Sequence, residues 1–178
     1  MDRQWLEEQL RELPLVQYDF FPTDTLVFSP KVRHICRQEC AQYNRSWACP
    51  PAVGEVEDCE NRCRSYPNAL LLVSMAEVED AADLSKTLPT RLAHETLTHQ
   101  VLDLVRRDGT AAIGLSTESC AICETCAWPE GPCRHPEKML PCVESQGILV
   151  TELAERFGID FLAAPNLVTW FSLVLYRN

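Results

Sequence analysis

The sequence predicts a single α+β (or α/β) domain, with a central sheet of about four strands, helices packed on it and two cysteine-rich loops close in space. Three observations carry that expectation. Two apolar runs, 68–75 (NALLLVSM) and 167–176 (LVTWFSLVLY), have the length and β-leaning composition of buried strands. Between and around them lie segments whose apolar residues recur at helical spacing. Ten cysteines collect in two regions, 33–63 and 120–142, where prolines and glycines interrupt regular structure.

Taken in order, residues 2–12 place Trp5, Leu6, Leu10 and Leu13 at the spacing of an amphipathic helix, and Pro14 ends it. Residues 15–20 read as a strand, Pro22 and Asp24 break it, and 25–28 is expected to return as a second short strand, making a hairpin. Cys36 and Cys40 then stand one helical turn apart. After Gly54, EVEDCENRCRSY reads as a helix in which Cys59 and Cys63 repeat that spacing. The run at 68–75 is a buried strand, and the acidic AEVEDAADL behind it a short helix. Leu92, Leu97, Val101, Leu104 and Val105 mark the apolar face of a longer helix from Pro89 to Arg107, stopped by Asp108-Gly109. Residues 110–115 are a strand that delivers the chain into Cys120. Residues 145–157 are helical in period with Gly158 as the stop, and 167–176 is expected to be the central strand.

At 178 residues one domain buries roughly 70% of its unfolded surface, so disulfide staples are not required. The N-terminal MDRQWLEEQLREL mixes charges among its apolar residues and has no signal-peptide core, and no apolar run is long enough to span a membrane. The expected compartment is the cytoplasm, where clustered thiols stay reduced and bind metal. With 26 acidic against 16 basic side chains, a net charge of −10 argues against nucleic acid and against an anionic membrane surface.

The strongest chemical signal is CAICETCAWPEGPC. Cys120, Cys123 and Cys126 are evenly spaced, Cys133 follows after six intervening residues, and four thiolates are thus presented from one loop. Such a run suits a cubane, in which three sulfurs converge on three irons and a fourth ligand arrives from further along the chain. Zinc is the alternative, although its sites usually pair two knuckles across a longer spacer. Cys36, Cys40, Cys49 and Cys59 form an earlier group whose intervening gaps of three, eight and nine residues match no standard zinc or ferredoxin pattern. They are candidates for a second cluster, against a reading as buried thiols. Cys63 and Cys142 read as packing residues, as do His94 and His99. Arg134, beside Cys133, is placed to raise a cluster's potential, whereas His135 reads first as a surface histidine, with capping the cluster or a hydrogen bond to a sulfur as the alternative. Trp47 and Trp128 are placed to exclude water, Arg33, Tyr43 and Arg45 to line the first site, and Glu144 reads by default as an exposed carboxylate, with a proton donor as the alternative.

Two ordered motifs, V-R-x-x-C-x-x-x-C-x-x-Y-x-x-x-W-x-C-P-P from Val32 and C-x-x-C-x-x-C-x-x-P-x-x-P-C-R-x-P from Cys120, resemble a prokaryotic family of predicted metal-binding proteins, domain of unknown function 2284. The resemblance runs from about Val32 to Tyr176 and implies metal or iron–sulfur binding, with Cys36, Cys40, Cys49 and Cys59 in one group and Cys120, Cys123, Cys126 and Cys133 in the other. It implies no substrate.

The function expected is iron–sulfur binding, by one or two 4Fe-4S clusters, with electron transfer to or from a larger redox or cofactor-dependent enzyme. No paired nucleophile, phosphate loop or nucleotide fingerprint is present, which favours a carrier over a catalyst. The alternatives are a zinc-stabilised interaction module and an enzyme whose cluster keeps an open iron. The acidic balance points to a redox partner protein with a basic docking face.

Overall fold

The computed structural model describes residues 1–161 and 163–177. Strands β1 (Gln17–Pro22), β2 (Asn68–Glu77), β3 (Ala111–Leu115) and β4 (Leu167–Arg177) form one sheet in the order β1-β2-β4-β3, and every neighbouring pair is antiparallel. The helices are α1 (Arg3–Arg11), α2 (Pro30–Glu39), α3 (Val56–Arg64), α4 (Leu84–Thr87), α5 (Arg91–Arg106) and α6 (Val150–Phe157). The architecture is α+β.

The two apolar runs are the two inner strands. Their register sets Leu71 opposite Leu173 and Val73 opposite Phe171, so side chains of like parity share a face. On that face Leu71, Val73, Leu173 and Leu175 pack against Cys63 of α3 and Leu153 of α6. On the other, Leu70, Leu72 and Val174 meet Leu6 and Leu10 of α1 and Val101, Leu102 and Val105 of α5. Strands covered on both sides need no polar alternation, which is why both read as continuous apolar runs.

Three expectations change. The hairpin does not form: residues 23–25 make a 3-10 turn, and Phe28 meets Ile148 in an isolated bridge. β1 takes its partner from β2 instead, through pairs such as Phe20 with Leu70. Ser29 then turns the chain into α2, its hydroxyl accepting from the Lys31 N–H at 3.2 Å, with Pro30 in the first turn. The acidic stretch after β2 is loop, because the helix begins only where Asp83 accepts from the Ser85 N–H at 2.9 Å. On α5, Leu92 is 62% exposed beside exposed Leu84 and Leu88, so the start of this helix lies off the sheet and Leu102 joins the buried face.

β3 leaves the sheet at Leu115, opposite Leu173, while β4 runs on. The chain then makes a closed excursion. Ser116 bridges Cys142 in parallel, its N–H donating to Pro141 at 2.8 Å and its carbonyl accepting from Val143 at 2.9 Å. The loop between these ends carries the late cysteines and is held by that tie against the sheet.

Candidate metal centre

Cys120, Cys123, Cys126 and Cys133 are all half-buried free thiols, and all four line one small concavity with Trp47, Arg134 and His135. Backbone and side-chain bonds hold the loop in this curl. The Gly131 N–H donates to Ala127 at 2.8 Å, and Arg134 Nη1 donates to the Thr125 carbonyl at 2.8 Å, crossing the chain on either side of Cys126. Arg91, at the start of α5, donates to the Ser119 carbonyl at 2.5 Å and so fixes the approach to Cys120.

The earlier group is composite. Cys36 lies in α2, Cys40 is its C-cap, and Cys49 is buried in the loop beyond. These three line a second cavity of about 330 Å³ whose other walls include Ile35, Tyr43, Ile148, Leu149 and Val150. Cys59 is not on that wall. It is fully buried in α3, donating to the Val53 carbonyl at 3.4 Å and accepting from Arg62 at 3.3 Å and Arg33 at 3.9 Å. The helical spacing that pairs it with Cys63 carries both sulfurs inward, and Cys63 belongs to the sheet core.

Cys142, expected from the sequence as a packing residue, does line the second cavity. Its N–H donates to the Ala48 carbonyl at 3.3 Å, which sets it beside Cys49, and its thiol donates to Glu144 Oε2 at 2.9 Å. Glu144 is on the same wall. No local spacing announces this arrangement, since it arises from the tie between Ser116 and Cys142 and from one tertiary hydrogen bond.

Burial governs the electrostatics. It pushes the Cys49 thiol up to about 11 and the Cys142 thiol well above its ordinary value. Cys36 is raised by burial and then by neighbouring Cys40, Cys120 is raised by burial, and the Glu144 carboxyl is lifted by burial above the usual carboxylate range. These thiols are therefore protonated at neutral pH, and a metal binding there must displace protons.

Other predicted residues divide. Arg33 is buried and donates to Gly54 at 2.6 Å and Ser145 at 2.7 Å, clamping α2 to the segments before α3 and after Cys142. Its charge also acts on Cys36. Tyr43 is on the cavity wall, whereas Arg45 is exposed and not on it. His94 is a core residue, its Nδ1 2.7 Å from the Ser74 hydroxyl.

The two regions are in contact. Trp47 Nε1 donates to Gly131 at 3.0 Å, Trp128 Nε1 donates to Asn44 Oδ1 at 2.8 Å, and the two rings meet edge to face with centroids 4.7 Å apart. Each tryptophan thus anchors in the other's loop. A surface groove holds Cys40 together with Cys120 and Cys123.

Among the described residues no three Cys, His, Asp or Glu side chains stand as ligands of one metal ion. The donor chemistry nevertheless fits metal: four thiols around one concavity are the soft set that iron–sulfur clusters and zinc both take. A sheet edge that gathers thiols in two adjoining loops defines a cysteine-rich, metal-binding class of α+β domain. The family model described as Predicted metal-binding protein (DUF2284) matches residues 19–176, and the chain belongs to that family. No curated protein and no solved structure matches it. Among the described residues no helix is long and apolar enough to cross a membrane.

Proposed function

We propose that this protein is a cytoplasmic iron–sulfur redox carrier, holding one 4Fe-4S cluster in the late loop and a second in the early region. One observation carries the reading: Cys120, Cys123, Cys126 and Cys133 surround a single concavity in a loop otherwise free of helix and strand. A bound cluster would supply one-electron chemistry, and the residues of this chain would set its conditions. Trp47 shields it from water, while Arg134 brings positive charge to its rim. The contact between the regions supports electron passage from one group to the other, the tryptophans fixing their separation.

The partner is a protein with a basic docking face. Supporting this, Glu39, Glu118 and Glu124 are exposed along the groove that holds Cys40 and Cys120, and exposed Leu84 and Leu88 lie in it. Small redox interfaces combine such an apolar centre with complementary charge. Redox titration followed by electron paramagnetic resonance tests the carrier reading, with reversible one-electron reduction expected in the absence of any substrate. A protein that is colourless and redox-silent after anaerobic purification overturns it in favour of the zinc module. Stopped-flow reduction by a cognate partner should slow as salt shortens the screening length to about 8 Å. A rate indifferent to salt would separate the acidic surface from docking.

A further inference from the structure

The second cavity assigns its own sulfurs. Cys36, Cys40, Cys49 and Cys142 line it together, from the end of α2, the loop beyond it, and the segment that closes the late excursion. Cys49 and Cys142 are brought side by side by the hydrogen bond from the Cys142 N–H to Ala48. Cys59, which the sequence groups with Cys36, Cys40 and Cys49, is fully buried among Val53, Arg33 and Arg62 and is not on the wall of this cavity.

We infer that the second metal site is built by Cys36, Cys40, Cys49 and Cys142, with Glu144 hydrogen-bonded to the fourth sulfur, and that Cys59 is a packed core thiol. This rests on the iron–sulfur reading and deepens it by naming the ligands. It bears on function directly. Four thiolates complete the coordination of a cubane and suit a carrier, whereas three leave an iron open to a small molecule in the apolar-walled cavity. It also makes the two sites one construction, because the segment that ends the late loop supplies a ligand to the early group.

The test is iron and acid-labile sulfide content, with electron paramagnetic resonance, of reconstituted wild type, Cys142→Ala and Cys59→Ala. Wild type is expected to hold about eight irons, Cys59→Ala about eight and Cys142→Ala about four, the remaining cluster showing that the variant is folded. If Cys142→Ala loses all its iron, Cys142→Ser decides: an altered signal from one cluster supports the assignment, and an unchanged spectrum overturns it. Loss of half the iron on Cys59→Ala, with Cys142→Ala intact, overturns the ligand set while leaving the carrier reading standing. If both variants keep about eight irons, the site is held by three thiolates and an open-iron enzyme replaces the carrier. Wild type with about four irons overturns the second site alone, and wild type with zinc and no sulfide overturns both readings.

Discussion

The late loop and the early cavity present thiols in opposite ways. Four cysteines of the first come from fourteen consecutive residues and stand half-exposed, held by the tie across the loop's base and by bonds involving Arg91, Trp47 and Trp128. The second draws on α2, the segment around Cys49 and the segment around Cys142, and two of its sulfurs are buried. A local site is specified by spacing and survives damage elsewhere. A composite one depends on the topology that brings its parts together and is the more sensitive to the fold.

That contrast breaks most sharply on a single ligand. Cys126→Ser should remove the late cluster, about half the iron, because a hard hydroxyl replaces a thiolate within the evenly spaced run. Cys63→Ser, at a core sulfur, should leave the iron content unchanged. Equal iron loss in both, measured by metal analysis, would mean that position in the loop is not what holds the metal.

Acid should reach the fold through α5, which braces the late loop at Ser119. Burial holds the His94 imidazole near 4, down from 6.5. Between these values the unfolded chain takes up a proton that the folded chain refuses, so stability is full above pH 6.5 and falls as pH drops. The loss reaches about 3 kcal/mol at the acid end of the window. Urea unfolding between pH 7 and 4 should show this slope, and His94→Gln should flatten it.

The early region has its own weak point. Gly147 has φ +85°, and its carbonyl accepts from the Ser29 N–H at 2.8 Å, joining the start of α2 to the segment after Cys142. A Cβ there would stand 2.8 Å from Val56 Cγ1. Gly147→Ala is expected to cost about 1–3 kcal/mol and to lower iron in the early site more than in the late one. Equal effects on both clusters would erase the distinction between local and composite sites.

The smallest effect concerns rates in the metal-free protein. Exposed Cys40 and half-exposed Cys123, Cys126 and Cys133 should be alkylated by iodoacetamide before buried Cys49, Cys63 and Cys142. Cys63, raised by burial to about 12, should be among the last. Mass spectrometry of a labelling time course gives the order.

The same contrast explains what could be read from the chain. β2 and β4 were legible because strands buried on both faces leave unbroken apolar runs, and α5 because Leu97, Val101 and Val105 keep one face. The false hairpin at 25–28 arose because β1's true partner lies some fifty residues on, beyond the reach of any turn signal. The late cysteines were grouped by spacing alone. Cys142 was not, since only the hydrogen bond to Ala48 and the tie to Ser116 set it beside Cys49. Cys59 lies off the wall of the early cavity for a related reason: helical spacing reveals which residues share a face, not whether that face meets a cavity or the core.

The central claim is tested most directly by iron, acid-labile sulfide and zinc analysis of the wild-type protein purified without oxygen. About eight irons with matching sulfide are expected, one cubane for each group of four thiols. Near-stoichiometric zinc without sulfide would contradict the account.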